Sequence, residues 1–326
     1  MIRTEVTLLV FVAVLLILAL ALGDQKILPE HVLGALLGND QTPVEAVTIV
    51  RDLRLPRALM AVLVGAALAT AGALSQAILR NPLAEPGLLG INAGAALAAV
   101  IVIIKLDIVS AYALPFLTFA GALVMSAAIY ALAWREGTSS LNIILIGVGL
   151  SALAGAAAQF IAVFGEIAAL QRAMVWLAGS LQDSRWIKVQ TLLIWLVIPF
   201  AAVWMASREL DLIALGDDVA AGLGQPVEWV RGLMVLACAV ISGAAVASAG
   251  LVAFVGLAAP HLARRLVGRR HHRLIPAAAL MGGLMVLAAD IVARQAMPPL
   301  QLPVGLVTAM LGAPFFGFLL WRRRHD

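Results

Sequence analysis

The sequence predicts an all-α polytopic membrane protein with about ten transmembrane helices, together with short re-entrant and cytoplasmic helices. Of its 326 residues, 63% are hydrophobic and only 12% are charged, whereas soluble domains carry about 25% charged residues. The apolar residues form long runs of Ala, Leu and Val, which favours helices over the short alternating segments of a β-barrel. We therefore expect residues 1–326 to form a single transmembrane domain.

Nine apolar runs approach the length of about 20 residues that a helix needs to cross a bilayer. They are residues 6–23, 59–79, 88–104, 112–134, 143–164, 186–206, 232–249, 274–292 and 304–320. The first run follows Arg3 and resembles a signal peptide, but the later runs are equally apolar, so we expect it to be retained as the first helix.

The segment 251–264 supplies a tenth crossing. A single helix over residues 232–264 would be roughly 50 Å long, against about 30 Å of hydrocarbon. We therefore expect the chain to turn near Gly250 and to return through a segment that Gly256 and Pro260 break. Residues 170–180 are too few to cross and predict an amphipathic or re-entrant helix.

Clusters of basic residues predict the orientation. The strongest lie in residues 263–273 and 321–326, and the positive-inside rule places both in the cytoplasm. Both termini are then cytoplasmic, the long segment 24–56 is periplasmic, and the long segment 207–231 is cytoplasmic. Counting seven crossings back from residues 263–273 places Arg51, Arg54 and Arg57 on the outer side, where basic clusters are unusual. The formal charge of +4 belongs to such clusters and predicts contact with the lipid bilayer, not with nucleic acid.

Small residues at helical spacing predict close packing of one helix. Gly65, Ala69 and Gly72 lie on one side of the helix over residues 59–79, and small side chains allow two helix backbones to approach. Packing alone is the role that we expect for them.

The sequence lacks the motifs of an ATP-binding or hydrolytic enzyme. Its three lysines are Lys26, Lys105 and Lys188, and none follows a glycine, which excludes a P-loop. His271 and His272 lie in a basic loop and are expected to be solvated. An ion-coupled transporter would bury ionisable groups in mid-membrane, but Asp290 lies four residues before Arg294, which predicts a local ion pair. The energy for transport must then come from a separate ATPase.

Four long blocks resemble the FecCD-type permeases of vitamin B12, haem and ferric siderophore importers. They are RLPRALMAVLVGAALATAGALSQAILRNPLAEPGLLGINAGAAL (residues 54–97), LIALGDDVAAGLG (212–224), GLVAFVGLAAPHLARRLVG (250–268) and LPVGLVTAMLGAPFF (302–316). The resemblance implies a type II ABC importer in a bacterial inner membrane. Its parts are two permeases, identical or paralogous, two cytoplasmic ATP-binding subunits and a periplasmic binding protein. ATP and Mg²⁺ would bind the partner ATPase, and the permease would need no cofactor.

The resemblance also implies two contact sites. Arg54, Arg57 and Arg294 match arginines that pair with acidic residues of the binding protein, for which exposed guanidinium groups would suit. The segment 207–231 matches coupling helices that rest in the ATPase: one short helix up to Gly216, then a second that Asp217 can cap and that ends at Gly224. The expected coupling residues are Leu212, Ala214, Leu215, Gly216, Asp217, Asp218, Ala220 and Gly224.

The substrate that the resemblance favours is a ferric siderophore, with cobalamin or haem as the alternative. A stand-alone secondary transporter is disfavoured because no ion site lies within the membrane segments. Two positions depart from the family: Gln301 replaces a frequent Glu, and Ala253 replaces a glycine. The residues that line the substrate pathway are not assigned.

Overall fold

The protein is all-α in a computed structural model that describes residues 2–23, 25, 27–106, 113–134, 138–298 and 300–322. Its helices are α1 (Ile2–Ala21), α2 (Pro29–Leu37), α3 (Val44–Thr48), α4 (Leu55–Ile78), α5 (Ile91–Val100), α6 (Ala113–Ala133), α7 (Ser140–Val163), α8 (Ile167–Leu177), α9 (Trp186–Met205), α10 (Ser207–Ile213), α11 (Asp217–Gly222), α12 (Val227–Ala249), α13 (Val255–Val267), α14 (His271–Gln295) and α15 (Val304–Arg322). Two π-helical segments (Ile49–Arg54 and Ile101–Lys105) and a 3-10 helix (Pro86–Leu89) extend these helices.

Every predicted crossing corresponds to a helix, and the all-α membrane fold is confirmed. Within the described residues, seven helices are long and apolar enough to cross a membrane. The count of ten requires α5 with its π-helical extension, α13 and α15 in addition, and it stays a prediction. The predicted start at Tyr112 and the basic tail after Arg322 lie outside the described residues.

The predicted outer segment 24–56 is largely helical rather than irregular. It contains α2, and a continuous helix then runs from Val44 to Ile78 over 35 residues. At 1.5 Å per residue this helix is roughly 52 Å long, so its first turns extend well beyond one hydrocarbon thickness. Its part from Ile49 to Arg54 is π-helical, and Arg54 is the last residue of that segment.

Glycines bring α4 into backbone contact with two other helices at the centre of the protein. A Cβ atom on Gly65 would lie 2.1 Å from the Gly282 carbonyl oxygen of α14, and one on Gly72 would lie 1.8 Å from the Gly256 oxygen of α13. The packing role predicted for Gly65, Ala69 and Gly72 is confirmed, because Ala69 also packs against Gly282. Helix association inside a membrane depends on such close approach.

Gly72→Ala is expected to destabilise the protein by about 1–3 kcal/mol, because the added methyl group overlaps backbone atoms that cannot rotate away. The matched control is Gly149→Ala in α7, where nothing among the described residues lies within 4 Å of the new Cβ. Thermal unfolding in detergent measures both. We expect a lower midpoint for Gly72→Ala and an unchanged or slightly raised one for the control, and equal midpoints would contradict the predicted clash.

The turn predicted near Gly250 is confirmed, but the interior of the next helix differs from the expectation. α12 ends at Ala249, Gly250 has a φ of 72°, and α13 begins after Phe254, whose φ is 63°. α13 then continues through Gly256 and Pro260 without interruption, so the prediction that these residues break it is wrong. Proline removes one hydrogen bond to the residue four positions earlier, Gly256, and the close contact with Gly72 accommodates the freed carbonyl group.

Candidate functional site

Arg54 caps the end of α1 on the predicted outer side. Its side chain is buried, and Nη1 donates hydrogen bonds to the carbonyl oxygens of Leu20 (2.7 Å) and Ala21 (3.0 Å). Nη2 donates to the carbonyl oxygen of Gln25. The last carbonyl groups of a helix lack partners within the helix, and a cation there also opposes the negative end of the helix dipole. Arg54 thus fixes α1 to the start of α4.

Arg294 acts on the same helix end. Its Nη1 donates to the carbonyl oxygens of Ala19 (3.3 Å) and Leu22 (3.2 Å). Its Nε lies 3.1 Å from Oδ2 of Asp290, which confirms the predicted local ion pair. α14 is therefore joined to α1 through this buried guanidinium group.

Arg57 shares the carboxylate of Asp290. Nε and Nη2 of Arg57 both lie 2.9 Å from Asp290 Oδ1, and Nη1 donates to Gln301 Oε1 at 2.6 Å. The Asp290 side chain is fully buried, and that of Arg57 is 11% exposed. One carboxylate thus holds two guanidinium groups from α4 and α14.

These contacts correct the prediction that the three arginines are exposed. Arg54 and Arg294 are 7% and 6% exposed, because the end of α1 and Asp290 offer acceptors that the local sequence does not reveal. The structure places Arg54 and Arg294 at the end of α1, and Arg57 and Arg294 on Asp290. Whether they bind a delivery protein stays a prediction.

The predicted inner segment forms two short helices. α10 ends at Ile213, Gly216 has a φ of 111°, α11 follows directly, and Gly224 has a φ of 84°. The break at Gly216 and the end at Gly224 are confirmed, since both positions adopt left-handed conformations that favour glycine. The predicted capping role of Asp217 is wrong, because its carboxylate binds Arg231 and Arg80 instead of the helix end.

Arg231 attaches α11 to the membrane helices. This side chain of α12 is fully buried, and Nη2 forms an ion pair with Asp217. Nη1 binds the carbonyl oxygen of Thr138, the Thr138 Oγ1 at 2.9 Å and the Glu228 Oε1 at 3.2 Å. Thr138 also donates to Glu228 from its backbone and its hydroxyl group. Sequence reasoning missed this cluster, although the spacing of Glu228 and Arg231 offered a signal.

His271 joins α10 to the start of α14. Asp211 Oδ1 accepts hydrogen bonds from the backbone N–H of His271 (3.0 Å) and pairs with its Nδ1 (2.6 Å). His271 is buried, so the prediction that it is solvated is wrong, while its neighbour His272 is exposed and stacks on Trp204. The contact of Asp211 with His271 holds α10 against α14, and the contact of Asp217 with Arg231 holds α11 against α12.

One expected coupling residue, Leu215, and two neighbours outside the expected set form an apolar row that faces outward. Leu215, Val219 and Leu223 are 62%, 50% and 64% exposed, and they recur at a four-residue spacing. Ala214, Asp218 and Gly224 are also exposed, Leu212, Gly216 and Asp217 are half-buried, and Ala220 is fully buried. An exposed apolar row on an anchored element is typical of a protein interface.

A cavity of about 670 Å³ lies beside α8 on the predicted outer side. α8 confirms the expected short helix at residues 170–180, although it begins earlier, at Ile167. Gln171, Arg172 and Trp176 of α8 line the cavity together with Lys188 of α9 and Ser248 of α12.

Asp183 carries the negative charge of this cavity. It pairs with Lys188 (2.9 Å) and Arg185 (3.0 Å). Burial alone raises the pKa of Asp183, but the hydrogen bonds and charges of Lys188 and Arg185 outweigh it and leave that pKa below its ordinary value. The carboxylate is therefore ionised at neutral pH.

Comparison with known proteins agrees with this architecture over nearly the whole chain. The model of the FecCD transport family matches residues 10–322. The chain is 39% identical to the Fe(3+)-citrate import system permease protein YfmE of Bacillus subtilis (strain 168), over 95% of this chain and 92% of that protein. It is 40% identical to the iron(3+)-hydroxamate import system permease protein FhuG of the same organism, over 97% of this chain and 96% of that protein.

A solved structure has the same fold. It is described as an inward-facing conformation of a metal-chelate type ABC transporter, with a TM-score of 0.89, 28% identity, and coverage of 99% of this chain and 100% of that chain. Together with the family match, this shows that the chain is a membrane-embedded permease subunit and belongs to the FecCD transport family.

Proposed function

We propose that the protein moves a ferric siderophore from a periplasmic binding protein into the cytoplasm, in a complex with a second permease and two ATP-hydrolysing subunits. The observation that carries this proposal is the apolar row of Leu215, Val219 and Leu223, which lies on and beside the short helices α10 and α11. Asp211 anchors α10 and Arg231 anchors α11. Such an element can transmit closure of an ATPase dimer to the membrane helices. The ferric citrate and ferric hydroxamate relatives support iron chelates as the substrate class.

Uptake by proteoliposomes tests the proposal. The permease is reconstituted with its ATPase and binding protein, and uptake of ⁵⁵Fe-labelled siderophores, labelled haem and labelled cobalamin is compared with and without ATP. We expect ATP-dependent accumulation of a ferric siderophore. Accumulation that is independent of ATP would contradict the importer mechanism, and a preference for haem or cobalamin would contradict the substrate.

Cross-linking tests the contact with the ATPase, with both termini and α10–α11 taken to be cytoplasmic. Cysteines at Val219 and Leu223 are expected to cross-link to cysteines in the ATPase, whereas one at the fully buried Ala220 is the matched control and should not. The single native cysteine, Cys238, is buried and gives little background. Cross-links from Ala220 alone would contradict the proposed surface.

We propose in addition that a binding protein engages Arg57 by exchange of carboxylates. A carboxylate of the partner would replace Asp290 or Gln301 as an acceptor for Arg57, which is the most exposed of the three arginines at 11% of its side chain. Arg54 and Arg294 would support this contact by holding α1 in place.

Gln301→Glu is expected to weaken the affinity of the permease for the periplasmic binding protein about threefold to tenfold, without loss of permease stability. The new carboxylate would lie where Oε1 of Gln301 now accepts from Arg57 at 2.6 Å, and a second internal acid would compete with the partner. Surface plasmon resonance at low salt measures the affinity. Gln295→Glu at the nearby exposed end of α14 is the control, and an equal effect of both changes would show only a general charge effect.

A further inference from the structure

The cavity beside α8 combines a size and a chemistry that fit a small anionic metal chelate. Its volume of about 670 Å³ lies within the range of about 300–1,000 Å³ of sites for small molecules. It lies between α8, the chain that joins α8 to α9, and the outer end of α12 at Ala249 and Gly250. Here α8 and α12 come together, as the hydrogen bond from Ser180 N to Ala249 O (2.8 Å) shows.

Two cations and several neutral donors line this space. Arg172 and Lys188 supply positive charge, Gln171 and Gln182 supply amide groups, and Trp176 supplies an apolar face. Asp183 contributes one negative charge, so the ionisable lining groups sum to 2 − 1 = +1. This arrangement suits a ligand with several negatively charged oxygen atoms around a compact core.

Lys188 lies at the junction of this cavity with a smaller one. The second cavity, of about 130 Å³, shares Asp183, Lys188 and Ser248 with the first and adds Arg185 and Trp195. The side chain of Lys188 is 25% exposed and is held by Asp183 at 2.9 Å. An incoming carboxylate would compete with Asp183 for the ammonium group.

We propose that this cavity is a substrate-contact site that binds oxygen-rich anionic ferric chelates of the hydroxycarboxylate class, with Arg172 and Lys188 as the residues that select the charge. The proposal rests on the proposed function and adds the substrate class and the contact residues. Asp183 acts within it as an internal competitor that keeps Lys188 in place until the chelate arrives.

Binding of ⁵⁵Fe-labelled ferric citrate to the purified full-length permease in nanodiscs tests the site directly. The double change Arg172→Gln and Lys188→Gln is expected to weaken binding at least about tenfold, because two charge-assisted contacts are lost. Lys105→Gln is the matched control, since Lys105 is an exposed cation on the same predicted side that does not line the cavity. An unchanged affinity of the double variant would overturn the proposal.

Asp183→Asn provides a test of opposite sign. Removal of the internal carboxylate frees Lys188 and is expected to tighten ferric citrate binding by about twofold to fivefold, as for the loss of one partly exposed ion pair. A variant that misfolds cannot bind more tightly, so a gain supports the site independently of stability. Weaker binding by Asp183→Asn would contradict the role of competitor.

Transport separates this proposal from the function on which it rests. If wild-type proteoliposomes accumulate no ferric chelate with ATP, the proposed function fails. If the wild type accumulates ferric citrate and the Arg172→Gln, Lys188→Gln variant does so with an unchanged KM, the function stands and the cavity proposal fails. We expect a raised KM for ferric citrate and an unchanged KM for an uncharged ferric hydroxamate.

Discussion

Replacing Asp290 with asparagine is expected to destabilise the protein by about 3–5 kcal/mol, because it leaves two buried guanidinium groups without a counter-charge. The Asp290 side chain is fully buried and contacts Arg57 at 2.9 Å and Arg294 at 3.1 Å. Asparagine has nearly the same size, so the change removes charge without creating a cavity. Thermal and denaturant unfolding in detergent measure the loss.

Two further variants show that the loss comes from charge. Asp52→Asn removes an exposed acid on the same predicted side and should leave the unfolding midpoint within experimental error. Arg57→Gln combined with Asp290→Asn should recover part of the stability, since one uncompensated cation is removed with its partner. If the stability losses of the single changes Arg57→Gln and Asp290→Asn simply add up in the double variant, the two residues do not share an ion cluster.

Local sequence was sufficient for the long apolar helices and for the turns at three glycines. Apolar runs bounded by charged residues identified each membrane helix, because a bilayer imposes one length and one polarity on every crossing. Glycines at 216, 224 and 250 marked turns correctly, since positive φ values favour a residue without a side chain. Pro260 was misjudged because its effect depends on whether a neighbouring helix accommodates the freed carbonyl group.

The burial of the charged residues depends on hydrogen-bond partners that lie far away in the sequence. Arg54 was predicted to be exposed, yet its acceptors at the end of α1 precede it by 29–34 residues. His271 was predicted to be solvated, yet its partner Asp211 lies 60 residues earlier. No periodicity or spacing predicts such a pair. The charge pattern only predicts the side of the membrane, and the packed helices show the burial.

The ion cluster on the predicted outer side and the anchor on the predicted inner side lie at opposite ends of one helix, α14. α14 carries His271, which binds α10, at its first residue, and Asp290 and Arg294 near its last. α14 has 25 residues, with Pro276 in its interior, and we expect displacement of α10 to be transmitted along it to Asp290 and the contacts of Arg57. Coupling of this kind requires two arrangements of α14 with different affinities for the partners at its two ends.

Replacing Arg231 with methionine is expected to abolish most ATP-driven uptake and to destabilise the protein by about 3 kcal/mol. Arg231 is fully buried and is the side chain that ties Asp217 of α11 to Glu228 and Thr138. Methionine fills much of the same space, but the two carboxylates lose their shared cation, and breaking a buried ion pair on one side is costly. With α11 detached from α12, one of the two connections between the proposed coupling helices and the membrane helices is lost, and only the contact of Asp211 with His271 remains.

Two readouts distinguish lost coupling from lost folding. The Arg231→Met complex should still hydrolyse ATP at a basal rate, while uptake falls more than about tenfold, because the proposed function places the ATPase sites in another subunit and only transmission fails. Arg80→Gln is the matched control: Arg80 contacts the same Asp217 at 3.4 Å but is 37% exposed, and exposed pairs contribute little, about 0–1 kcal/mol. Equal losses of uptake in both variants would assign the effect to Asp217 alone. A larger loss for Arg231→Met assigns it to the buried connection, which places the transmission step at the start of α12.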